Sequence, residues 1–355
     1  MAHELTKRAD GFVEMGYATG VDRWHGLGNE LRDGATIEEW QVAAGMDWVI
    51  RRTPAQYYAD RAGTDLRTWD DKHILVRSDS KLPLGMVSPD YNIVQPYEVL
   101  EFFRDLVADR GFKLETAGTL FGGSQFWALA KVTEAVLSGW DKVGGYVLIN
   151  TSADGTKATS VRDTTVCVVC NNTLSMATSA KAKKVVNVSH RKNFDPKKVQ
   201  EQMGLTANNF STFIEAANKL TTVKVSDASA EEFILRLLSS ASRDTALSAQ
   251  VMEASVSSGD SLSQLLAGPY IPKDDAQHRR PRGADTILAL FNGAGTGSAE
   301  VGRQGTAWGL VNAVTEYVDH WSTAKTDSHR LSRAMFGDGD YVKTQALSNA
   351  LEQLA

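Results

Sequence analysis

The sequence has little of what marks a secreted or membrane protein. It holds two cysteines in 355 residues, too few for a disulfide framework. It has no run of about 18 apolar residues, so no membrane-spanning helix is expected. The opening MAHELTKRADGFVE has no apolar core of signal-peptide length, and the expected location is cytoplasmic. Several catalytic signatures are also missing. There is no Gly-x-x-x-x-Gly-Lys-[Ser/Thr], no His-Glu-x-x-His and no Gly-x-Ser-x-Gly, so nothing supports ATP hydrolysis. Nor is there an excess of positive charge. The formal net charge is −5, which excludes a uniformly basic nucleic-acid coat; any polyanion site must be a local patch.

What is present is the composition of a folded protein, 42% hydrophobic and 23% charged. The length allows one large domain or two ordinary ones. TIEEWQVAAG predicts a short helix from Ile37 to Ala44, capped by Thr36 with a Glu three residues later and ended by Gly45. MDWVIRRT then extends as a strand. HILVRSDSKLPLGMVSPDYNIV reads as two strands around a Pro-Leu-Gly turn. PYEVLEFFRDLVADRG has helical periodicity, with Val99, Leu100, Phe103, Leu106 and Val107 on one face and Gly111 as the stop.

Next come FKLETAGTL and SQFWALAKV, a hairpin joined by Phe-Gly-Gly. A second hairpin turns at Asp154-Gly155, and a helix is expected from about Thr164. The second half reads mostly as helix. ASAEEFILRLLSSA is one; TAWGLVNAVTEYVDHW is another, with Trp308, Val311, Val314, Val318 and Trp321 on a face. GPYIPKDDAQHRRPRGADT and GAGTGSAEVG read as loops, the latter with a weak resemblance to a phosphate cradle.

The predicted class is therefore α+β: an antiparallel β-meander packed by helices, with a helical C-terminal half. Residues 1–75 are expected to form an N-terminal segment packing on the core. Residues 76–200 form the α+β core. Residues 201–355 form a mainly helical region with a basic loop near 270–300.

Four features could carry chemistry. Cys167 and Cys170 are spaced Cys-x-x-Cys, but no second pair exists and His190 stands alone about twenty residues on. A structural zinc needs four ligands, and the two intervening valines favour a buried pair of small hydrophobes over a redox site. Charge is the second feature. Lys181, Lys183, Lys184, Arg191, Lys192, Lys197 and Lys198 face one acid, Asp195; His278, Arg279, Arg280 and Arg282 form a second cluster. Such patches bind phosphate backbones through counterion release, although a solvated face is the plainer explanation. Third, Glu316 and His320 are four apart on one helix, with Asp319 between them; they could share a divalent ion, or simply form a salt-bridged face. Fourth, His25 in RWHGLG could be catalytic, though a turn with a packed Trp24 is the commoner cause.

RWHGLG (23–28), AAGMDWVI (43–50), LGMVSPDYNIVQPYEVLEFF (84–103), DTTVCVVCNNTLSMA (163–177) and GTAWGLVNAVTEYVDH (305–320) together resemble a phage- and plasmid-associated family known as domain of unknown function 932. The resemblance makes CNNTL, Cys170 to Leu174, the recurring core of its stretch, rather than an obligatory metal pair. The expected order, helix, strand, strand, Asp-Gly hairpin, helix, is also similar to the core of the RecT, Redβ and Erf type of single-strand annealing protein. That likeness implies ring or filament homo-oligomers holding single-stranded DNA in a basic groove without ATP, in a bacterial host cell.

The leading expectation is thus an ATP-independent protein that binds single-stranded DNA and anneals it, with no cofactor. Arg162, Lys181, Lys183, Lys184, Arg191, Lys192, Lys197 and Lys198 would contact phosphates, with Arg279, Arg280 and Arg282 adding to them. Tyr91, Phe126, Trp127 and Tyr146 are candidate stacking residues. Two rivals stand beside it. One is a metal-assisted enzyme acting on nucleic acid or nucleotides through Glu316, Asp319, His320 and His25. The other is an interaction or host-modulating protein of a mobile element.

Overall fold

A computed structural model of the chain describes residues 5–20, 27–139, 141–167, 173–175, 185–203, 208–240, 281–325, 329–330, 333–334 and 337–354. Its centre is an eight-stranded sheet in the order β10-β9-β8-β7-β6-β1-β2, with β11 also paired to β9. The strands are β1 (Met15–Ala18), β2 (Asn29–Leu31), β6 (Lys113–Leu120), β7 (Gln125–Leu137), β8 (Asp141–Ser152), β9 (Thr159–Cys167), β10 (Thr173–Ser175) and β11 (Val185–Val188). All pairings are antiparallel except β1 with β2. A smaller sheet, β3-β4-β5, consists of β3 (Ile50–Tyr58), β4 (Leu66–Arg77) and β5 (Pro83–Val87).

Local chemistry explains several boundaries. Helix α1 (Ile37–Ala43) begins with a capping box. The Glu39 N–H donates to Thr36 Oγ1 at 3.2 Å, and the Thr36 N–H donates back to the Glu39 carboxylate at 2.7 Å. Gly45 follows with φ +66°. Helix α2 (Pro96–Arg110) ends at Gly111, a left-handed cap with φ 70° whose N–H donates to the Leu106 carbonyl. The Asp154-Gly155 turn joins β8 to β9, and Phe121–Gly123 joins β6 to β7, both where the residues place them.

Both faces of the large sheet are covered, so β8 is buried almost throughout. On one face Ala128, Val147, Ile149 and Val161 meet Val99, Leu100, Phe103 and Leu106 of α2 and the aromatics Trp40 and Trp48. On the other, Trp127, Leu129, Tyr146 and Leu148 lie with Leu5 and Met15. The far ends of β7 and β8 carry Leu137 and Val143 into a third cluster built by the C-terminal helices. Those are α4 (Asn208–Thr222), α5 (227–240), α6 (Ala284–Ala289), α7 (Ala307–Glu316) and α8 (Asp338–Gln353); α3 (Pro196–Met203) lies beside β11. The class is α+β, with antiparallel sheets and several helices in the C-terminal half.

Three expectations change. No helix begins at Thr164. β9 runs on to Cys167 and β10 folds back on it, Leu174 opposite Thr165 and Ser175 opposite Thr164. The β-branched run Thr164-Thr165-Val166 completes the open edge of β8, pairing with Gly144, Gly145 and Tyr146. Among the described residues, the first helix after the Asp-Gly hairpin is α3, at Pro196. Second, the β4–β5 turn is residues 78–82, not Pro-Leu-Gly. Lys81 takes φ +62°, and Pro83 opens the edge strand β5, where no N–H is needed. Third, α7 widens by one residue per turn at Tyr317–Trp321, and Trp321 swings off the apolar face to 58% exposure.

Candidate functional site

The sheet face that carries Tyr146 and Leu148 turns polar toward β9 and β11. Alternation puts Asn150, Ser160 and Arg162 on that face, because Asn150 pairs with Ser160 and Leu148 with Arg162; Asn187 of β11 sits opposite Ser160. A cleft of about 360 Å³ opens there, lined by Asn150, Lys157, Ser160, Arg162 and Asn187 and closed by the first turn of α8 with Asp340.

The cleft is open and carries charge. Arg162 is buried, and its Nη1 donates to Asp340 Oδ2 at 2.6 Å. Ser160 Oγ donates to the Asn150 side-chain oxygen. Lys157 is half-buried; burial depresses its ammonium pKa, nearby Arg162 lowers it further, and Asp154 opposes both. The Lys157 carbonyl meets His190 Nε2 at 3.1 Å, which ties the cleft edge to the turn after β11. The other His190 nitrogen, Nδ1, lies 3.0 Å from the Asn92 carbonyl, and Tyr91 stacks on its ring at 4.4 Å.

Beyond that anchored turn the cations face solvent. Arg191 and Lys192 are exposed, as are Lys197 and Lys198 in the first turn of α3. Asp195 is the acid among them. Backbone N–H bonds from Lys198 and Lys197, together with the Lys198 ammonium at 3.4 Å, hold its carboxyl below the usual carboxylate range. Arg282, before α6, is also exposed. Lys181, Lys183, Lys184, Arg279 and Arg280 lie outside the described residues, as do His25, His278 and Cys170. Lys184 directly precedes Val185, the first residue of β11, which lines the cleft. Cys167 ends β9 opposite Val143.

The other predicted residues divide. Phe126, Trp127 and Tyr146 are 1%, 4% and 3% exposed and belong to the core, so they offer no stacking surface. Burial, with Glu115 beside it, pushes the Tyr146 phenol upward, and its hydroxyl donates to Glu115 at 2.7 Å. Tyr91 is committed to His190, and its hydroxyl donates to the Ser152 carbonyl at 2.8 Å. The acids of the helix after Thr306 are also engaged. The Glu316 carboxylate accepts from Thr296 N–H at 3.0 Å and Thr296 Oγ1 at 3.2 Å. Asp319 accepts from Lys343 Nζ at 2.6 Å, with both side chains buried. In the glycine-rich turn the Thr296 N–H is thus taken by the chain's own carboxylate. Among the described residues, no group of three His, Cys, Asp or Glu side chains could hold a metal ion.

Sequence reasoning passed over Lys157, Asn150, Ser160 and Asn187. The strand period could have put Asn150, Ser160 and Asn187 on one face had the register been known; nothing local marks Lys157.

The fold and cleft define an α+β protein with an antiparallel sheet, helices on it, and a charged cleft beside an exposed basic turn. Residues 83–335 match the family model described as domain of unknown function (DUF932), more than two-thirds of the chain, so the protein belongs to that family. A search of curated proteins found no match, and neither did a search of solved structures. No described helix is long and apolar enough to cross a membrane.

Proposed function

We propose that this is a phage- or plasmid-associated protein that binds single-stranded DNA without ATP and holds it for annealing, acting as a homo-oligomer in the bacterial cytoplasm. One observation carries the reading. Arg191, Lys192, Lys197 and Lys198 stand exposed in one turn and the helix start that follows, against the single acid Asp195, in a chain of net charge −5. The surface pair of Lys198 with Asp195 is weak and readily exchanged for a phosphate. Lys157 extends the positive character into the cleft, where Arg162 is paired with Asp340, and Lys181, Lys183 and Lys184 immediately precede β11 in sequence. Annealing needs no catalytic acid or base, only strands held with their bases free.

The test is fluorescence anisotropy with labelled single-stranded and duplex DNA over a salt series. The comparison protein carries Arg191→Glu, Lys192→Glu, Lys197→Glu and Lys198→Glu, all at exposed positions. Binding by the native chain should weaken steeply with salt, and the reversed protein should lose at least about tenfold in affinity at low salt. Absence of binding by the native chain at low salt would remove this reading.

A further inference from the structure

The polar cleft holds a sheltered hydrogen-bond donor that the chain itself does not use. Asn150 is 5% exposed, and its side-chain oxygen accepts from Ser160 Oγ. Its Nδ2 has no hydrogen-bond partner among the described residues, and the residue lines the open cleft. A buried amide without an acceptor is costly, so the acceptor has to come from what enters the cleft.

The surrounding groups define what that is. Asn187, exposed and opposite Ser160 on β11, brings a second carboxamide to the same face. The charges behind them are matched, because Arg162 and Asp340 are buried and paired at 2.6 Å. Tyr341, the next residue after Asp340, is 39% exposed and lines the same cleft. Two carboxamides and an exposed ring suit a planar heterocycle: amides bond its donor and acceptor edge, and the ring stacks on its face. The volume of about 360 Å³ lies at the small end of the range for ligand sites. At the cleft edge the Lys157 carbonyl meets His190 Nε2 at 3.1 Å, and the exposed cations Arg191 and Lys192 follow directly. A sugar would use the amides and not these cations; an inorganic anion would use the cations and not the ring. A nucleotide uses all of them.

We infer that the cleft takes the base of one nucleotide, with Asn150 and Asn187 on its edge and Tyr341 on its face, while the phosphate meets Arg191 or Lys192. The phosphate contact rests on the proposed DNA binding; the base contact rests on the cleft alone. One base per copy is withdrawn, so the rest of a bound strand keeps its bases free. The protein therefore prefers some bases over others, which phosphate contacts by themselves do not achieve.

A free nucleotide and one unit of a strand offer the same chemistry, so the test has two arms. Calorimetric titration of the full chain uses the four deoxynucleoside monophosphates, with deoxyribose 5-phosphate and inorganic phosphate as base-free probes. At least one nucleotide should bind with a dissociation constant of about 1 mM or tighter. The base-free probes should bind about tenfold more weakly, and Asn150→Ala should lose about tenfold, the worth of one buried hydrogen bond. Asn187→Ala and Tyr341→Ala, at exposed positions, should also weaken binding and keep the test open if Asn150→Ala fails to fold, as read by circular dichroism. In the second arm, anisotropy with the four homopolymeric single strands should show a base preference that the variants flatten. No nucleotide binding up to about 10 mM overturns the inference. So does equal binding of the base-free probes, or native affinity in all three variants. Nucleotide binding without strand binding supports the cleft site and removes the annealing reading. Strand binding with no base preference, unchanged in the variants, overturns the cleft site and leaves that reading standing.

Discussion

Asp141 and Arg303, 162 residues apart, form a bidentate ion pair at the joint between the large sheet and the C-terminal helices. Arg303 Nε donates to Asp141 Oδ2 at 2.9 Å and Nη2 to Oδ1 at 3.0 Å, with side chains 1% and 2% exposed. Trp308 Nε1 also donates to Oδ2, at 3.1 Å. Arg303→Met should therefore strand a buried carboxylate and cost about 3–5 kcal/mol, read as a lower urea midpoint. Adding Asp141→Leu should recover part of that loss, so the double variant will be less destabilised than the sum of the singles.

Arg303 Nη1 also donates to the Thr296 carbonyl at 3.1 Å, while Glu316 accepts from the Thr296 N–H. The turn is thus gripped at both ends of one residue. Glu316→Ala should leave the Thr296 N–H without its carboxylate and destabilise the chain by about 1–3 kcal/mol. Amide exchange at Thr296 should quicken more than exchange in the middle of α7.

Gly45 and Gly34 both have positive φ, +66° and +73°. A Cβ at Gly45 would lie 2.4 Å from Glu14 Cγ, whereas one at Gly34 would meet nothing within 4 Å. Gly34→Ala should cost about 1 kcal/mol, from backbone strain alone. Gly45→Ala should cost about 1–3 kcal/mol more, from overpacking against a buried side chain. Parallel urea titrations separate the two terms.

Hydrogen bonds from the Arg77 guanidinium lower the Asp79 pKa from 3.8 to about 2. The folded value lies below the unfolded one, so this contribution to stability is complete above about pH 4 and fades as pH falls to about 2. Stability measured across that window should fall less in Asp79→Asn than in the native chain. A variant with an unchanged acid limb would show that Asp79 is not held by Arg77 in solution.

Much of the fold was legible because its signals are local. Thr36 with Glu39, Gly111 after an apolar stripe, and the Asp-Gly turn each act within a few residues. Neither Thr164–Cys167 nor β10 was legible as strand, because β8 supplies the pairing partner of the first and β9 that of the second. The aromatics Trp127 and Tyr146 read as stacking candidates only while the cover over their face was unknown. Arg162 stood out as a cation, but its partner Asp340 lies 178 residues on.

The sequence alone determined the α+β class, the helices α1, α2, α5 and α7, the turns at Phe121–Gly123 and Asp154-Gly155, and the clustering of cations between Lys181 and Lys198. Those follow from residue type and short-range periodicity. Only the tertiary structure decided which charges are buried in pairs, which aromatics belong to the core, and which strands share the polar cleft. Those properties depend on register and on contacts between distant segments, and no local pattern encodes them.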